Sequence, residues 1–121
     1  MAVDITRIEG TDVVLVESPE VIINTAQDAL DLMATIYYNH ECSKVIIDKA
    51  CIAEDFFNLR TGLAGEVLQK VSNYRFALAI VGDFGVYDSK ALRDFIHESN
   101  RGRHVFFVPD RETALQRLSQ V

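Results

Sequence analysis

The sequence contains no tryptophan and only two cysteines, two prolines and three histidines in 121 residues. No apolar run approaches the ~20 residues of a membrane-spanning helix, and the start, Met1-Ala2-Val3-Asp4, lacks the features of a secretory signal peptide. Basic residues are also few, with 12 against 18 acidic ones and a net charge of −6. Because the phosphates of nucleic acids would be repelled at long range, we expect a cytoplasmic chain that binds neither nucleic acid nor membrane.

The cysteines and histidines do not form a recognisable ligand pattern. Cys42 and Cys51 lie nine positions apart with no secretion signal, which predicts free thiols in a reducing compartment. A zinc site would need a CxxC pair or clustered histidines, whereas His40, His97 and His104 fall in three separate segments. We therefore expect packing or surface roles for all five residues, with no metal and no other cofactor.

The length favours one domain over residues 1–121, since single domains most often have ~100–150 residues. No internal repeat, low-complexity tract or linker-like stretch divides the chain. Polar and apolar residues alternate over residues 4–9 and 12–16 around Gly10-Thr11, which predicts a β-hairpin. Helical spacing from Ala26 to Tyr37 then predicts a helix that Thr25 or Asn24 caps.

Three short apolar runs, at residues 44–48, 76–81 and 105–108, predict strands covered on both faces, as in parallel sheets. Helices are expected between them, over residues 61–73 and 88–100, and a last helix begins at Asp110. The second of these should bury Ala91, Leu92, Phe95, Ile96 and Ser99. The order ββαβαβαβα predicts an α/β sandwich with a mostly parallel sheet and an antiparallel N-terminal hairpin.

Thr61 stands at the start of a predicted helix and has two interpretations. A threonine there caps the helix by accepting a backbone N–H hydrogen bond. The unpaired N–H groups and the helix dipole would equally stabilise a phosphate on Thr61. Gly62 and Gly65 leave one side of the first turn bare, so that a partner or ligand can approach.

Acidic residues follow each of the three apolar strands: Asp48, Asp83 and Asp110. The carboxyl ends of parallel strands share one edge of the sheet, where ligands usually bind. Three carboxylates would suit Mg²⁺, although helix caps and solvated acids explain the same residues. A small-molecule or anion sensor built from Asp48, Gly82, Asp83 and the helix start at Thr61 is therefore an alternative function.

A basic stripe is expected on one side of the third helix, comprising Lys90, Arg93, His97 and Arg101. Such a stripe would suit an anion or an acidic partner. Acidic residues are interleaved with it, however, and this pattern is typical of a solvated face with pairing between successive turns. Both interpretations stay open.

Enzymatic motifs are absent from the sequence: there is no GxSxG, no HExxH and no P-loop. Asp83-Phe84-Gly85 matches the metal-binding tripeptide of kinases, but the glycine-rich loop and the catalytic loop of a kinase are missing. We expect no catalytic residues and no enzyme.

The element order, together with Asp48, Phe56-Phe57 and Thr61-Gly62-Leu63, resembles the STAS domain of bacterial anti-sigma-factor antagonists and sulfate-transporter tails. The resemblance implies a STAS-like fold in which a partner kinase phosphorylates Thr61. The whole chain also resembles an uncharacterised bacterial family, domain of unknown function 4180. The phrases that carry this second resemblance are Thr61-Gly62-Leu63-Ala64-Gly65-Glu66, Val81-Gly82-Asp83-Phe84 and Glu98-Ser99-Asn100-Arg101-Gly102.

These observations lead to a first hypothesis of a regulatory domain that binds a protein partner, such as a kinase or a regulator. Its contact residues would be Thr61, Gly62, Phe56, Phe57, Asp48 and Asp83, with the two phenylalanines as anchors. The sensor described above is the alternative. A homodimeric module is a further alternative, with an interface drawn from Tyr37, Tyr38, Tyr74 or Tyr87.

Overall fold

A computed structural model describes residues 3–121. Five strands form one sheet: β1 (Asp4–Arg7), β2 (Val13–Glu17), β3 (Lys44–Asp48), β4 (Ala77–Val81) and β5 (Val105–Val108). Four α-helices accompany them: α1 (Ala26–His40), α2 (Leu63–Asn73), α3 (Lys90–Arg101) and α4 (Arg111–Ser119). Of the helices within the described residues, none is long and apolar enough to cross a membrane.

The spatial order of the strands follows the chain, β1-β2-β3-β4-β5. β1 pairs antiparallel with β2, and every later pair is parallel. The register places Asp48 beside Val81 and Val81 beside Val108, so the carboxyl ends of β3, β4 and β5 share one edge. The predicted mixed α/β fold with an antiparallel hairpin and a parallel remainder is confirmed.

The two faces of the sheet bury different helices. Successive side chains of a strand point to opposite faces; in β3, Val45 and Ile47 join one core cluster, which contains side chains of α1, α2 and α3, whereas Ile46 joins the other. The second cluster contains only α4 among the helices, through Ala114 and Leu118. Both faces are covered, which explains the uninterrupted apolar runs of the parallel strands.

Three of the α-helices begin at a residue whose side chain accepts a hydrogen bond from the first turn. The Thr25 hydroxyl accepts a hydrogen bond from the backbone N–H of Asp28 at 3.1 Å, and Asp110 accepts one from Thr113 at 2.7 Å. Both were expected from the sequence. α3 instead begins two residues later than predicted, because Ser89 accepts from Leu92 N and takes the cap position; Ala91 is exposed rather than buried.

The connection between β3 and α2 differs from the prediction. Residues 49–61, which we call the turn segment, form three short 3₁₀ helices: Lys49–Cys51, Glu54–Phe57 and Leu59–Thr61. The Asp48 and Asn58 side chains accept backbone hydrogen bonds that start the first and the third of them. Gly62 then occupies the N-cap position of α2 at φ +79°, a left-handed conformation that glycine adopts readily. Thr61 therefore ends the turn segment and does not cap α2 from the N-cap position.

Candidate functional site

Thr61 is exposed, and its hydroxyl connects three backbone groups. Oγ1 lies 2.7 Å from the Asp55 carbonyl oxygen and 2.9 Å from that of Asn58, so its single proton is shared between these acceptors. The same oxygen accepts from the backbone N–H of Leu63 at 3.3 Å. The hydroxyl thus fastens the end of the turn segment to the first residue of α2.

The surface next to Thr61 is open. A Cβ atom added at Gly62 or Gly65 would meet no heavy atom within 4 Å outside its immediate neighbourhood. Both glycines are exposed. A partner would therefore reach the backbone of the first turn of α2 without displacing another part of the protein.

Phe56 and Phe57 lie in the core. Their exposed fractions are 0% and 4%, and their ring centroids are 5.0 Å apart in an edge-to-face arrangement. Phe56 also contacts Phe107 of β5, with ring centroids 6.1 Å apart. Because burial of these rings holds the turn segment against the sheet, the two phenylalanines are structural supports of the candidate surface and not its exposed anchors.

The three strand-end aspartates each serve their own local turn or helix. The Asp48 carboxylate accepts from Ala50 N at 2.9 Å, and the Asp83 carboxylate accepts from Gly85 N at 2.9 Å. At Asp110, the hydrogen bonds from Thr113 hold the carboxyl pKa below its ordinary value. Within residues 3–121, no group of three His, Cys, Asp or Glu side chains is arranged to hold a metal ion.

Lys49 lies across the ends of β3 and β4, at the edge where the sequence predicted a ligand crevice. Its stem lies against Gly82, and its Nζ donates to the Asp83 carbonyl oxygen at 3.2 Å and to the Tyr87 hydroxyl at 3.1 Å. The Tyr87 hydroxyl in turn donates to the Glu54 carboxylate at 3.0 Å. We call Lys49, Glu54 and Tyr87 the lysine–tyrosine cluster. It joins the turn segment to the loop that follows β4.

Aromatic packing completes this cluster. The rings of Phe57 and Tyr87 stack with centroids 5.0 Å apart at an angle of 14°, and Lys49 Nζ lies 4.4 Å from the Tyr87 ring centroid. Burial raises the pKa of the Tyr87 hydroxyl, and Glu54 raises it further, whereas the hydrogen bond from Lys49 acts in the opposite direction. Lys49 was not among the predicted site residues, because its contacts with Asp83 and Tyr87 depend on the register between β3 and β4.

The basic stripe of α3 is exposed, as its helical spacing predicted. Lys90 Nζ pairs with Asp94 at 2.8 Å, and Arg101 lies 3.9 Å from Glu98. The hydrogen bond from Lys90 lowers the pKa of the Asp94 carboxyl. Acidic neighbours on the same helix therefore pair with Lys90 and Arg101. Arg93 and His97 lie between these two pairs along the helix.

Both cysteines are free and buried. The Cys51 thiol lies 3.6 Å from the Ser18 carbonyl oxygen, and burial raises its pKa. A buried thiol with a raised pKa is a poor nucleophile because little thiolate forms.

Three of the four tyrosines considered for an interface lie together. Tyr37, Tyr38 and Tyr74 are 62%, 86% and 56% exposed. They line one groove of about 380 Å³, the tyrosine groove, with Leu30, Met33, Ala34 and Phe76. Tyr87 is in the lysine–tyrosine cluster instead.

Fold and site together define a mixed α/β domain with an exposed hydroxyl at the head of α2. The chain belongs to the family described as Domain of unknown function (DUF4180), whose family model matches residues 8–118. Among curated proteins, no match to the chain was found.

Proposed function

We propose that the chain is a non-catalytic regulatory domain of the bacterial cytoplasm, which binds a protein partner and is switched by phosphorylation of Thr61. The observation that carries the proposal is the position of the Thr61 hydroxyl, which is exposed and yet holds the turn segment closed. The resemblance to STAS domains, in which a hydroxyl residue before glycine is phosphorylated, supports the same residue.

Phosphorylation would change the local hydrogen bonding. An esterified Thr61 oxygen has no proton to donate, so the Asp55 and Asn58 carbonyl oxygens would lose this donor. The phosphate would also add up to about −2 of charge next to those carbonyl oxygens. The end of the turn segment would then rearrange, while the α2 backbone N–H groups near the open Gly62 would receive the phosphate.

The rearrangement would extend beyond Thr61 because the turn segment also carries Glu54. This carboxylate accepts a hydrogen bond from the Tyr87 hydroxyl, and the same hydroxyl accepts a hydrogen bond from Lys49. A shift of the segment would alter the lysine–tyrosine cluster and hence the surface at the carboxyl edge of the sheet. The partner is expected to contact this surface through the exposed side chains of Glu54, Asp55, Asn58 and Arg60.

The test combines mapping with variants. Protein purified from its own host is examined by intact-mass measurement and peptide mapping for a phosphate on Thr61. Partner capture from host lysate is then quantified for Thr61→Asp, Thr61→Ala and Thr61→Ser. We expect Thr61→Asp to change capture of the partner by about tenfold or more, as for loss or gain of one charged contact, and Thr61→Ser to behave as the wild type.

Thr35 supplies a matched control, because its exposed hydroxyl also donates to a backbone carbonyl, that of Asp31 at 3.0 Å. Thr35→Asp adds the same charge on α1 and should leave capture unchanged. Equal capture by wild type, Thr61→Asp and Thr61→Ala would overturn the proposal, as would host protein that carries no phosphate on Thr61 under any growth condition.

A further inference from the structure

The edge of the sheet opposite to Asp48 carries a concentration of positive charge. Lys44 begins β3, Arg75 lies just before β4, and Arg103 and His104 lie just before β5. Because the amino ends of parallel strands meet at one edge, these side chains surround a common open space of about 660 Å³. We call it the arginine cavity; it is lined by Ser43, Lys44, Ser72, Arg75, Phe76, Ala77, Arg103, His104 and Val121.

Neither arginine of this cavity forms an ion pair within the described part of the chain. Lys44 pairs with Asp12 at 3.3 Å. Within residues 3–121, neither Arg75 nor Arg103 has a carboxylate within ion-pair distance, and no acidic side chain lines the cavity. A concave site with two uncompensated guanidinium groups in a protein of net charge −6 is suited to an anion.

The surroundings of the two arginines fix the shape of the cavity. His104 Nδ1 hydrogen-bonds to the Phe76 carbonyl oxygen at 3.0 Å, which orients the ring. Arg75 has φ +58°, a left-handed conformation that is costly for residues other than glycine. The chain thus carries an arginine at a position where glycine would relieve backbone strain.

The arginine cavity adjoins the tyrosine groove. Phe76 lines both, and the consecutive residues Tyr74 and Arg75 contribute one side chain to each. The groove is almost entirely apolar and aromatic, whereas the cavity has basic and hydroxyl side chains beside Phe76, Ala77 and Val121. Both volumes are within the range of small-molecule sites, which combine apolar walls with a few polar groups.

We propose that the arginine cavity and the tyrosine groove form one binding site for an organic anion with an apolar body. The carboxylate or phosphate group of the ligand binds Arg75 and Arg103. Its aromatic or aliphatic body lies in the groove against Tyr37, Tyr38 and Tyr74. The site is separate from Thr61, because Thr61 lies just before the N-terminus of α2 and Tyr74 lies at its C-terminus.

Three probes distinguish the contribution of the ligand's charge to binding from that of its apolar body. Anilinonaphthalene sulfonate carries both, N-phenyl-naphthylamine is the same body without the sulfonate, and inorganic phosphate is an anion alone. Fluorescence titration of the native protein should give the tightest binding for anilinonaphthalene sulfonate. Competition by decanoate, decyl phosphate and decanol then shows whether a carboxylate or a phosphate head group is preferred, with decanol the weakest competitor.

Five variants localise the site. Arg75→Gly removes one charge while relieving the positive φ, so it should weaken anilinonaphthalene sulfonate at least about tenfold without lowering the melting temperature. Arg103→Gln should weaken it similarly, whereas Arg93→Gln, on exposed α3, is the matched control and should not. Ala34→Glu in the groove should weaken binding more than Ala34→Lys, which has comparable bulk and the opposite charge.

The proposal is overturned if N-phenyl-naphthylamine binds as tightly as the sulfonate, or if Arg75→Gly and Arg103→Gln bind like Arg93→Gln. It is also overturned if sedimentation shows a dimer that Ala34→Glu and Ala34→Lys both dissociate, because the groove is then covered by a second copy of the chain. The proposal is supported if the protein is a monomer and if decanoate or decyl phosphate displaces anilinonaphthalene sulfonate while decanol does not.

Discussion

The side chain of Lys49 lies directly against Gly82, in the space that a larger residue would need. A Cβ atom at position 82 would lie 2.7 Å from the lysine Cδ and 3.0 Å from its Cβ and Cγ. Such distances are too short for carbon atoms in van der Waals contact. Glycine at this position therefore allows the lysine to reach Asp83 and Tyr87 across the ends of β3 and β4.

Gly82→Ala should displace Lys49 and destabilise the protein by about 1–2 kcal/mol, in the range of overpacking substitutions. The measurement is urea unfolding. Gly65→Ala is the matched control: its Cβ would point into open space within α2, so it should raise stability by about 0.5–1 kcal/mol. In a Lys49→Ala background, which removes Cγ and Cδ but keeps the contact of Cβ at 3.0 Å, the cost of Gly82→Ala should be smaller, and a full cost there would contradict the contact.

The ionisation of Tyr87 should report on its two charged neighbours. Glu54→Gln should lower the pKa of the Tyr87 hydroxyl and Lys49→Met should raise it, because the first removes a negative and the second a positive charge. Tyrosinate absorbance followed against pH, with Tyr87→Phe to identify the contribution of this residue, measures both shifts. An unchanged titration curve in Glu54→Gln would show that the hydrogen bond is not formed in solution.

The raised pKa of Tyr87 also fixes the sign of a pH effect on stability. The folded state holds the proton more tightly than the unfolded chain, so the contribution is complete below the ordinary value of 10.0 and is lost as the pH rises through the folded value. Alkaline unfolding should therefore be less steep in Tyr87→Phe. A steeper alkaline loss in that variant would reverse the assigned direction.

Phe56 should affect partner binding only through folding. Phe56→Ala is expected to cost about 3–5 kcal/mol, and Phe56→Leu less, because the ring is completely buried against Phe57 and Phe107. Denaturant unfolding gives the cost, and capture corrected for the folded fraction should equal that of the wild type. If Phe56→Ala left stability unchanged and abolished capture, the ring would be an exposed anchor after all.

Asn100 acts as an extra partner for the edge strand. Its Oδ1 accepts from the Phe107 backbone N–H at 2.7 Å, and its Nδ2 donates to the Phe107 carbonyl oxygen at 3.2 Å. Asn100→Ala should cost about 1–3 kcal/mol, since a largely buried backbone N–H loses its acceptor. Asn39→Ala, on the exposed surface of α1, should change stability by less than about 0.5 kcal/mol in the same unfolding experiment.

The elements that could be predicted from the sequence are those with a regular pattern of apolar residues. Alternation identified the hairpin, apolar runs identified β3, β4 and β5, and spacing of apolar residues identified the four helices with little error at their ends. The turn segment has no such signal, because a 3₁₀ helix of three or four residues is too short to show one. Its extent is set instead by burial of Phe56 and Phe57 and by the hydrogen bonds of Asp48 and Asn58.

The candidate sites were harder to predict, because they depend on local backbone conformation and on contacts between residues that are distant in the sequence. Thr61 was expected to cap α2, but the left-handed Gly62 takes that position, and a glycine next to a threonine does not reveal which of them begins the helix. Phe56 and Phe57 were predicted to be anchors for a partner, although large aromatic side chains are more often buried. Arg75 and Arg103 lie 28 positions apart, and only the parallel pairing of β4 with β5 brings them to one edge.

The strand order has a consequence for how the protein forms during synthesis. Each strand pairs with its neighbour in the chain, so the sheet can grow one strand at a time during synthesis, and no strand has to wait for a later one before it pairs. The face that contains Val13, Ile46 and Phe106 has no helix until α4 emerges. Nascent chains that stop before Arg111 should therefore present an apolar sheet face and depend on chaperones, whereas the addition of nine further residues should release them.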